Sequence, residues 1–389
     1  MSLSPAFLDE IRARTSLSAL IGRTVKIAKA GREFKGCCPF HGEKTASFYV
    51  NDDKGFYHCF SCSAHGDAIR WMTDQQGLGF IDAVKELAAA AGMEMPARSP
   101  EHSARAARVD GLRPALEAAQ RAFVLALEPN GKIREYLASR DVGPDLIETF
   151  GIGYAPRGGC LSGLGILPRD GLEAGLLAEG DDGKLREKFR DRVMVPIHDE
   201  RGRIVSFGGR VAPGNPSDAK YMNGPETVVF DKGRVVFNYH RASLVARNPE
   251  HRERGRLIIT EGYMDVIALS GAGHAKAVAP MGTAMTEAQI SKAWRLDPCP
   301  VLLLDGDKAG RAATLRTCHR ILAHPDFGGA SGHSVAVACL GDGLDPDDAI
   351  RAERAAGRDP LALIDGMIAD AVPVSDYIFN AEMEGESTA

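Results

Sequence analysis

Apolar positions along the chain recur with two different periods. Phe7, Leu8 and Ile11 share one face of an N-terminal helix, and Phe80, Val84, Leu87 and Ala91 repeat at helical spacing over Gly79–Ala91. A further helix is predicted over Asp67–Met72, and between them Phe48-Tyr-Val50 and Gly55-Phe-Tyr-His58 alternate like a hairpin. The stretch 97–111 is polar, small-residue and Pro-containing, and reads as an interdomain linker, although its Ala-Arg-Ala-Ala-Arg run can extend the next helix. Leu112–Leu127, Ile133–Ser139 and Pro144–Phe150 read as helices. Short strands between Gly and Pro turns follow at Val193–Ile197, Ile204–Phe207 and Val228–Phe230. From Leu257 onward, apolar strands (Leu257–Thr260, Val301–Leu304, Ser334–Leu340) alternate with helices (Met264–Leu269, Gly310–Leu322), which predicts a parallel sheet covered on both faces. A last helix starts at Val374, and no internal repeat is visible.

The fold class that follows is multidomain α+β and α/β. The expected division is a metal-bearing domain over 1–96, the linker at 97–111, a mixed α/β subdomain over 112–254, a parallel-sheet core over 255–345 and a helical segment over 346–389. A chain of 389 residues with 44% hydrophobic and 25% charged residues has enough apolar material for several cores, which excludes wholesale disorder. Its apolar runs are too short for a membrane span of about 20 residues. Asp9, Glu10, Arg12 and Arg14 exclude a secretory h-region, so a cytoplasmic location is expected. The net charge of −5 is unevenly spread. Residues 341–389 hold 12 acidic against 3 basic residues, which leaves the rest of the chain at +4, and residues 186–234 are locally basic. A basic surface for phosphates is therefore available.

Eight cysteines are too few for a disulfide scaffold, but Cys37, Cys38, Cys59 and Cys62 crowd together. Cys160, Cys299, Cys318 and Cys339 read as small core residues. Cys38-Pro-Phe-His41 and Cys59-Phe-Ser-Cys62, with 17 residues between the pairs, form a zinc-ribbon signature. Four such ligands, Cys38, His41, Cys59 and Cys62, close a tetrahedral Zn²⁺ site with no open position, so the ion is expected to be structural. Cys37 and His58 are neighbouring alternatives. Phe48, Tyr49, Phe56, Tyr57 and Phe60, interleaved with Lys35, Lys44 and Lys54, either build the ribbon's core or stack nucleic-acid bases; alternation lets about half do each.

A second constellation is acidic. Glu261 ends the first apolar strand of the parallel sheet, Asp305-Gly-Asp307 the second, and Asp345-Pro-Asp347 follows the third. Carboxyl ends of parallel strands converge on one crevice. Five carboxylates there repel one another unless a hard cation such as Mg²⁺ or Mn²⁺ intervenes. Lys308, Arg311 and Arg316 follow on the next helix, either to hold phosphate or to offset charge.

Glu261-Gly-Tyr-Met-Asp265, Met281-Gly-Thr283, Asp305-Gly-Asp-Lys-Ala-Gly-Arg311 and Asp345-Pro-Asp347 resemble the toprim domain of bacterial DnaG-type primases, and the knot with Phe56-Tyr-His-Cys-Phe60 resembles the zinc-binding domain of the same family. The resemblance runs from about Ser4 to Phe379. It implies a zinc ribbon that reads single-stranded DNA template, and an RNA polymerase domain that makes short RNA primers from nucleoside triphosphates by two-metal nucleotidyl transfer on Glu261, Asp305 and Asp307, with Asp345 and Asp347 completing the site. It further implies that Arg140, Arg190, Arg192, Arg210, Lys220, Asn223 and Lys232 contact template or triphosphate. The family also carries a C-terminal domain that docks on the replicative helicase; nothing after about Met383 matches it, so helicase binding is not expected through this chain. The competing reading is a non-catalytic single-stranded-DNA-binding toprim adaptor in recombination or repair, told apart by the absence of an RNA product. A toprim nuclease or topoisomerase lacks a visible strand-passage domain.

Overall fold

The computed structural model describes residues 3–96, 100–217, 219–248, 255–282, 284–328, 332–341 and 343–386. The chain divides into two compact units, 1–104 with 328–332 and 105–327 with 333–389.

In the first unit, Ser4 caps α1 (Pro5–Arg14) by accepting from the Phe7 N–H, with Pro5 at the first helical position where no N–H is needed. Ser16 caps α2 (Leu17–Ile21) in the same way. Five antiparallel strands follow in sequence order: β1 (Ile27–Ala30), β2 (Glu33–Gly36), β3 (Phe48–Asn51), β4 (Phe56–Cys59) and β5 (His65–Gly66). Asp67 caps α3 (Ala68–Asp74) through the Arg70 N–H, and α4 (Phe80–Ala90) completes the unit. Alternation along β3 and β4 sorts the aromatics. Phe48 and Tyr57 turn inward and pack with Phe40 and Trp71. Tyr49, Phe56 and Phe60 lie outward, Phe60 being 71% exposed.

One long helix, α5 (Pro100–Leu127), begins in the last residues of the first unit and belongs to the second from Arg105 on. The segment expected as a linker is thus helical from Pro100 on, because Ala and Arg are strong helix formers; residues 97–99 lie outside the described residues. Next come α6 (Gly131–Ala138), α7 (Pro144–Phe150), β6 (Gly153–Ala155), α8 (Pro168–Glu173) and a hairpin of β7 (Leu177–Glu179) and β8 (Leu185–Glu187). Then β9 (Arg192–His198), β10 (Ile204–Val211) and β11 (Tyr221–Asn223) join β6 in an antiparallel sheet ordered β11-β10-β9-β6. The strand expected at Val228–Phe230 is a turn: the Thr227 hydroxyl accepts from the Val229 and Phe230 N–H groups and bends the chain there.

The remainder is β12 (Val236–Phe237), α9 (Tyr239–Arg247), β13 (Ile258–Ile259), α10 (Tyr263–Gly271), β14 (Ala277–Pro280), α11 (Glu287–Leu296), β15 (Val301–Leu303), α12 (Lys308–Leu322), β16 (Ala336–Ala338), α13 (Pro346–Ala355), α14 (Pro360–Ala369), β17 (Val372–Pro373) and α15 (Val374–Glu386). Its six-stranded sheet runs β12-β14-β13-β15-β16-β17, with the four inner strands parallel and both edge strands antiparallel. Alternate residues feed two cores. Ile258, Val301 and Leu303 pack with α10 and α13 on one face, while Leu257, Ile259 and Leu302 pack with α11, α12 and α15 on the other. This double burial is why the strands read as continuous apolar runs. The chain moves from β13 to β14 on one side and then crosses to β15 on the other. The switch point therefore lies between β13 and β15, where open α/β sheets hold ligands at the carboxyl ends.

Candidate active site and metal knot

In the first unit, one ligand atom from each of Cys38, His41, Cys59 and Cys62 lies within 4.8 Å of all the others. The Cys38 and Cys62 sulfurs are 3.7 Å apart, and His41 Nδ1 is 3.8 Å from Cys59 Sγ. Bonds of ~2.3 Å from sulfur to a tetrahedral zinc require sulfurs about 3.8 Å apart, so the donor set fits that ion. Backbone N–H groups of Phe40, Ser61 and Cys62 point at the Cys38 and Cys59 sulfurs, as thiolates need. Cys37 is exposed and, with His58, stands outside the group. Glu43, which sequence reasoning missed, accepts from the Cys38 N–H at 2.6 Å and faces His41 Nε2 at 3.3 Å. The Ser47 hydroxyl, together with the Cys38 N–H, holds the Glu43 carboxyl below the usual range. Of the remaining cysteines, Cys318 is buried, Cys160 and Cys299 are half-buried, and Cys339 is exposed, so only the first is a core residue in the expected sense.

In the second unit, Thr260-Glu261-Gly262 leaves β13 for α10, and Leu304-Asp305-Gly306-Asp307 leaves β15 for α12. Both loops flank the switch point. Asp307 caps α12 by accepting from the Gly310 N–H at 2.6 Å, and Asp345 caps α13 by accepting from the Asp348 N–H at 2.6 Å. Asp265, in the first turn of α10, accepts from the Gly262 N–H at 3.0 Å. Three helix N-termini thus face the carboxylates and offset part of their charge. Gly306 lets the two acidic loops touch: its N–H donates to Leu344 O at 2.9 Å, and a Cβ there would lie 2.2 Å from Gly341 O.

The carboxylates interact electrically. Burial, and then Glu261, Asp345 and Asp307 in turn, pushes the Asp305 carboxyl up to about 6, against the pull of Lys220. Burial and Asp307 raise Glu261, with Arg316 opposing. Asp265 is buried, and it is pushed well up by that burial and by Asp345, Asp305 and Asp347. It belongs to the cluster, although sequence reasoning left it out of the site. Its signal was Glu-Gly-x-x-Asp at a helix start. Asp347 differs from its neighbours: it is buried and ion-paired to Arg140 and to Arg351, so its charge is already matched by two guanidinium groups.

The basic residues separate by burial. Arg192 is 3% exposed and donates to Gly209 O, Ala219 O and Ser217 Oγ, so it ties β9 to β10 and the following loop; a role in contacting template or triphosphate does not fit that position. Arg140 is likewise engaged by Asp347. Arg210 is buried between the rings of Tyr136 and Tyr221, donating to both hydroxyls. Lys220 is exposed, with its ammonium 5.6 Å from the Tyr221 ring centre. Asn223 Nδ2 donates to Met281 O at 3.1 Å, joining β11 to the loop after β14. Thr283, in the motif that begins at Met281, lies outside the described residues. Arg190 is exposed before β9, and Lys232 is half-buried in the turn before β12, where Gln289 Nε2 donates to its carbonyl at 2.9 Å. Arg311 donates to Gly306 O at 2.6 Å and so braces the acidic loop. Tyr136 and Tyr221 were not singled out from sequence, because a lone tyrosine carries no motif.

Three family models match in this order: the CHC2 zinc finger over residues 3–103, the DNA primase catalytic core N-terminal domain over 123–243, and the Toprim domain over 255–327. The DNA primase of Escherichia coli strain K12 is 37% identical over 391 residues, covering 97% of this chain and 64% of that protein. The DNA primase of Pseudomonas aeruginosa PAO1 is 37% identical over 390 residues, covering 97% of this chain and 56% of that protein. A crystal structure of a Pseudomonas aeruginosa DNA primase domain aligns with a TM-score of 0.59 at 36% identity, covering 70% of this chain and 83% of that one. The chain belongs to the bacterial DnaG-type primase family. It spans about six-tenths of the length of the curated primases it matches. Two further primase structures are similar. The zinc-binding and RNA polymerase domains of Aquifex aeolicus primase have a TM-score of 0.60 at 29% identity, covering 100% of this chain and 90% of that one. A DnaG primase catalytic domain bound to single-stranded DNA has a TM-score of 0.63 at 32% identity, covering 72% of this chain and 84% of that one. Among the described residues, no helix is long and apolar enough to cross a membrane.

Proposed function

We propose that this chain joins ribonucleoside triphosphates into short RNA primers on a single-stranded DNA template. The observation that carries the reading is the mutual repulsion of Glu261, Asp305 and Asp307, at the carboxyl ends of the strands that flank the switch point, with Asp345 after the next strand, whose carboxylate lies within 4.8 Å of those of Asp347 and Asp348; Lys220 draws on Asp305. Such a set repels itself and fits hard divalent cations, Mg²⁺ or Mn²⁺. When bound, these ions lower the pKa of a nucleotide 3′-hydroxyl and neutralise the departing pyrophosphate.

The remaining work falls to the chain's own groups. Lys220, Lys232 and the exposed Arg190 supply positive charge for triphosphate and template, and Arg210 holds Tyr221 at the edge of the site. Asp347 anchors Arg140 beside the cluster, and one carboxylate oxygen from each of Asp345, Asp347 and Asp348 lies within 4.8 Å of the others, close enough to share a cation. Starting a chain without a primer means holding two nucleotides at once, and this positive rim offsets that entropic cost by positioning them. In the first unit, Cys38, His41, Cys59 and Cys62 hold a structural Zn²⁺. The outward row Lys35, Tyr49 and His58, with Phe60 against both rings, offers template bases a stacking surface worth ~1–3 kcal/mol per base.

The test is Asp305→Ala assayed for RNA synthesis on single-stranded DNA, beside fluorescence anisotropy for DNA binding. Synthesis is expected to vanish while binding stays within about twofold. An RNA product of wild-type yield would remove the metal-site assignment, and a wild-type chain that binds DNA without making RNA would return the adaptor reading.

A further inference from the structure

Glu43 stands beside the metal knot without being one of its four ligands. Its side chain is 10% exposed. Oε1 accepts from the Cys38 N–H at 2.6 Å and from the Ser47 N–H at 3.1 Å. Oε2 accepts from the Ser47 hydroxyl at 2.5 Å and lies 3.3 Å from His41 Nε2. Ser47 Oγ is in turn 3.1 Å from Cys59 Sγ. One carboxylate therefore reaches three of the four ligands: Cys38 through its backbone, His41 through its ring, and Cys59 through Ser47.

We propose that Glu43 is the positioning carboxylate of the zinc centre, fixing His41 with Nδ1 toward the metal and Nε2–H toward the carboxylate. Nδ1 is the nitrogen that faces Cys59 Sγ, at 3.8 Å, while Nε2 is buried without a hydrogen-bond partner and has Glu43 Oε2 3.3 Å away as the acceptor a small ring rotation would reach. A neutral imidazole that binds metal through one nitrogen carries its hydrogen on the other, and an acceptor there sets both the tautomer and the ring angle. Ser47 spans the gap between this acceptor and the Cys59 sulfur, so the segment 38–47 is tied to the ligand pair at 59–62. The proposal rests on reading the Cys₃His group as a zinc centre.

The experiment uses the full chain loaded with zinc, and follows release to a chromophoric chelator in wild type, Glu43→Ala, Glu43→Gln and Ser47→Ala. Loss of an outer-shell partner typically costs 10–100-fold in metal affinity. Zinc is expected to leave Glu43→Ala at least tenfold faster, with Glu43→Gln between it and wild type and Ser47→Ala changed a few-fold. The cobalt-substituted protein is expected to show a shifted ligand-field band in the Glu43 variants, and the ¹⁵N signals of His41 are expected to report Nδ1 coordination in wild type. If Glu43→Ala does not fold, the near-isosteric Glu43→Gln carries the test alone. Wild-type release rates in both Glu43 variants would overturn the proposal. Faster release with an unchanged cobalt band and unchanged His41 signals would overturn it too, since that pattern belongs to folding rather than ligand positioning. A wild-type chain that neither holds nor binds zinc would remove the zinc reading itself, a failure visible before any variant is made.

Discussion

Asp307 and Asp345 each cap a helix while also charging the crevice, so one residue type does two jobs within the same few ångströms. Gly306 shows how little room this leaves. A methyl group at that position would meet Gly341 O at 2.2 Å and press the loop of Asp305 and Asp307 away from the loop of Asp345. Gly306→Ala is expected to cost about 1–3 kcal/mol of stability and to cut primer synthesis at least tenfold, read from denaturation and RNA-product assays on the same preparation. Unchanged synthesis would mean that the two loops need not be held at contact distance. Arginine and lysine letters were less informative than glycine. Arg192 and Lys220 look alike as basic residues near strands, yet one is buried among carbonyls and the other is exposed opposite Asp305. No local pattern separates them, because burial is decided by partners far away in sequence.

At the scale of elements, α13 is joined to the turn after α6 by Asp347 and Arg140, 207 residues apart. Removing one partner of a buried pair strands the other charge, at a cost of about 3–5 kcal/mol. Arg140→Ala and Asp347→Ala are each expected to lower stability by about that much. The double variant is expected to cost at least 1 kcal/mol less than their sum, as contacting residues do. Additive losses in a denaturant series would show that the two side chains act independently. Three of the four inner strands of the parallel sheet were legible from apolar runs, since burial on both faces writes a continuous signal, whereas β14, short and Ala-rich, and the helix α11 were not read from the sequence. The antiparallel edge strands β12 and β17 were not, because two-residue strands carry no period.

For the whole molecule, every ligand of the metal knot lies in the first unit, within residues 38–62. Because structural zinc contributes folding energy directly, chelation is expected to abolish the calorimetric transition of that unit and leave a second one for the rest. A single transition lost on chelation would contradict this independence. Acid should act elsewhere. The rings of His198, at the end of β9, and His240 lie 4.7 Å apart at a 47° tilt, near Arg241 and Asp199. Burial first, and then His240 and Arg241, pushes His198 down to about 3, and burial with Arg241 pushes His240 down to about 4. An unfolded imidazole titrates near ~6.5. The native state thus keeps both rings neutral, and their contribution is complete above that value and declines as pH falls toward 3–4. For His198, roughly 1.4 kcal/mol is lost by about pH 5.5. The urea midpoint should fall between pH 7.5 and 5.5, and fall less in His198→Phe; equal shifts in both proteins would refute the assignment.

The sequence by itself determined what could be written locally: the four knot ligands, because two close pairs of soft donors need only tight turns, and the acidic groups at strand ends, because apolar runs mark where strands stop. It also carried the family. Only the tertiary structure decided which charges are spent inside the fold. Asp347 meets Arg140, Arg192 meets carbonyls, Asp265 joins the crevice and Glu43 reaches three ligands at once, since each of these depends on a distance across the chain that no neighbouring residue encodes.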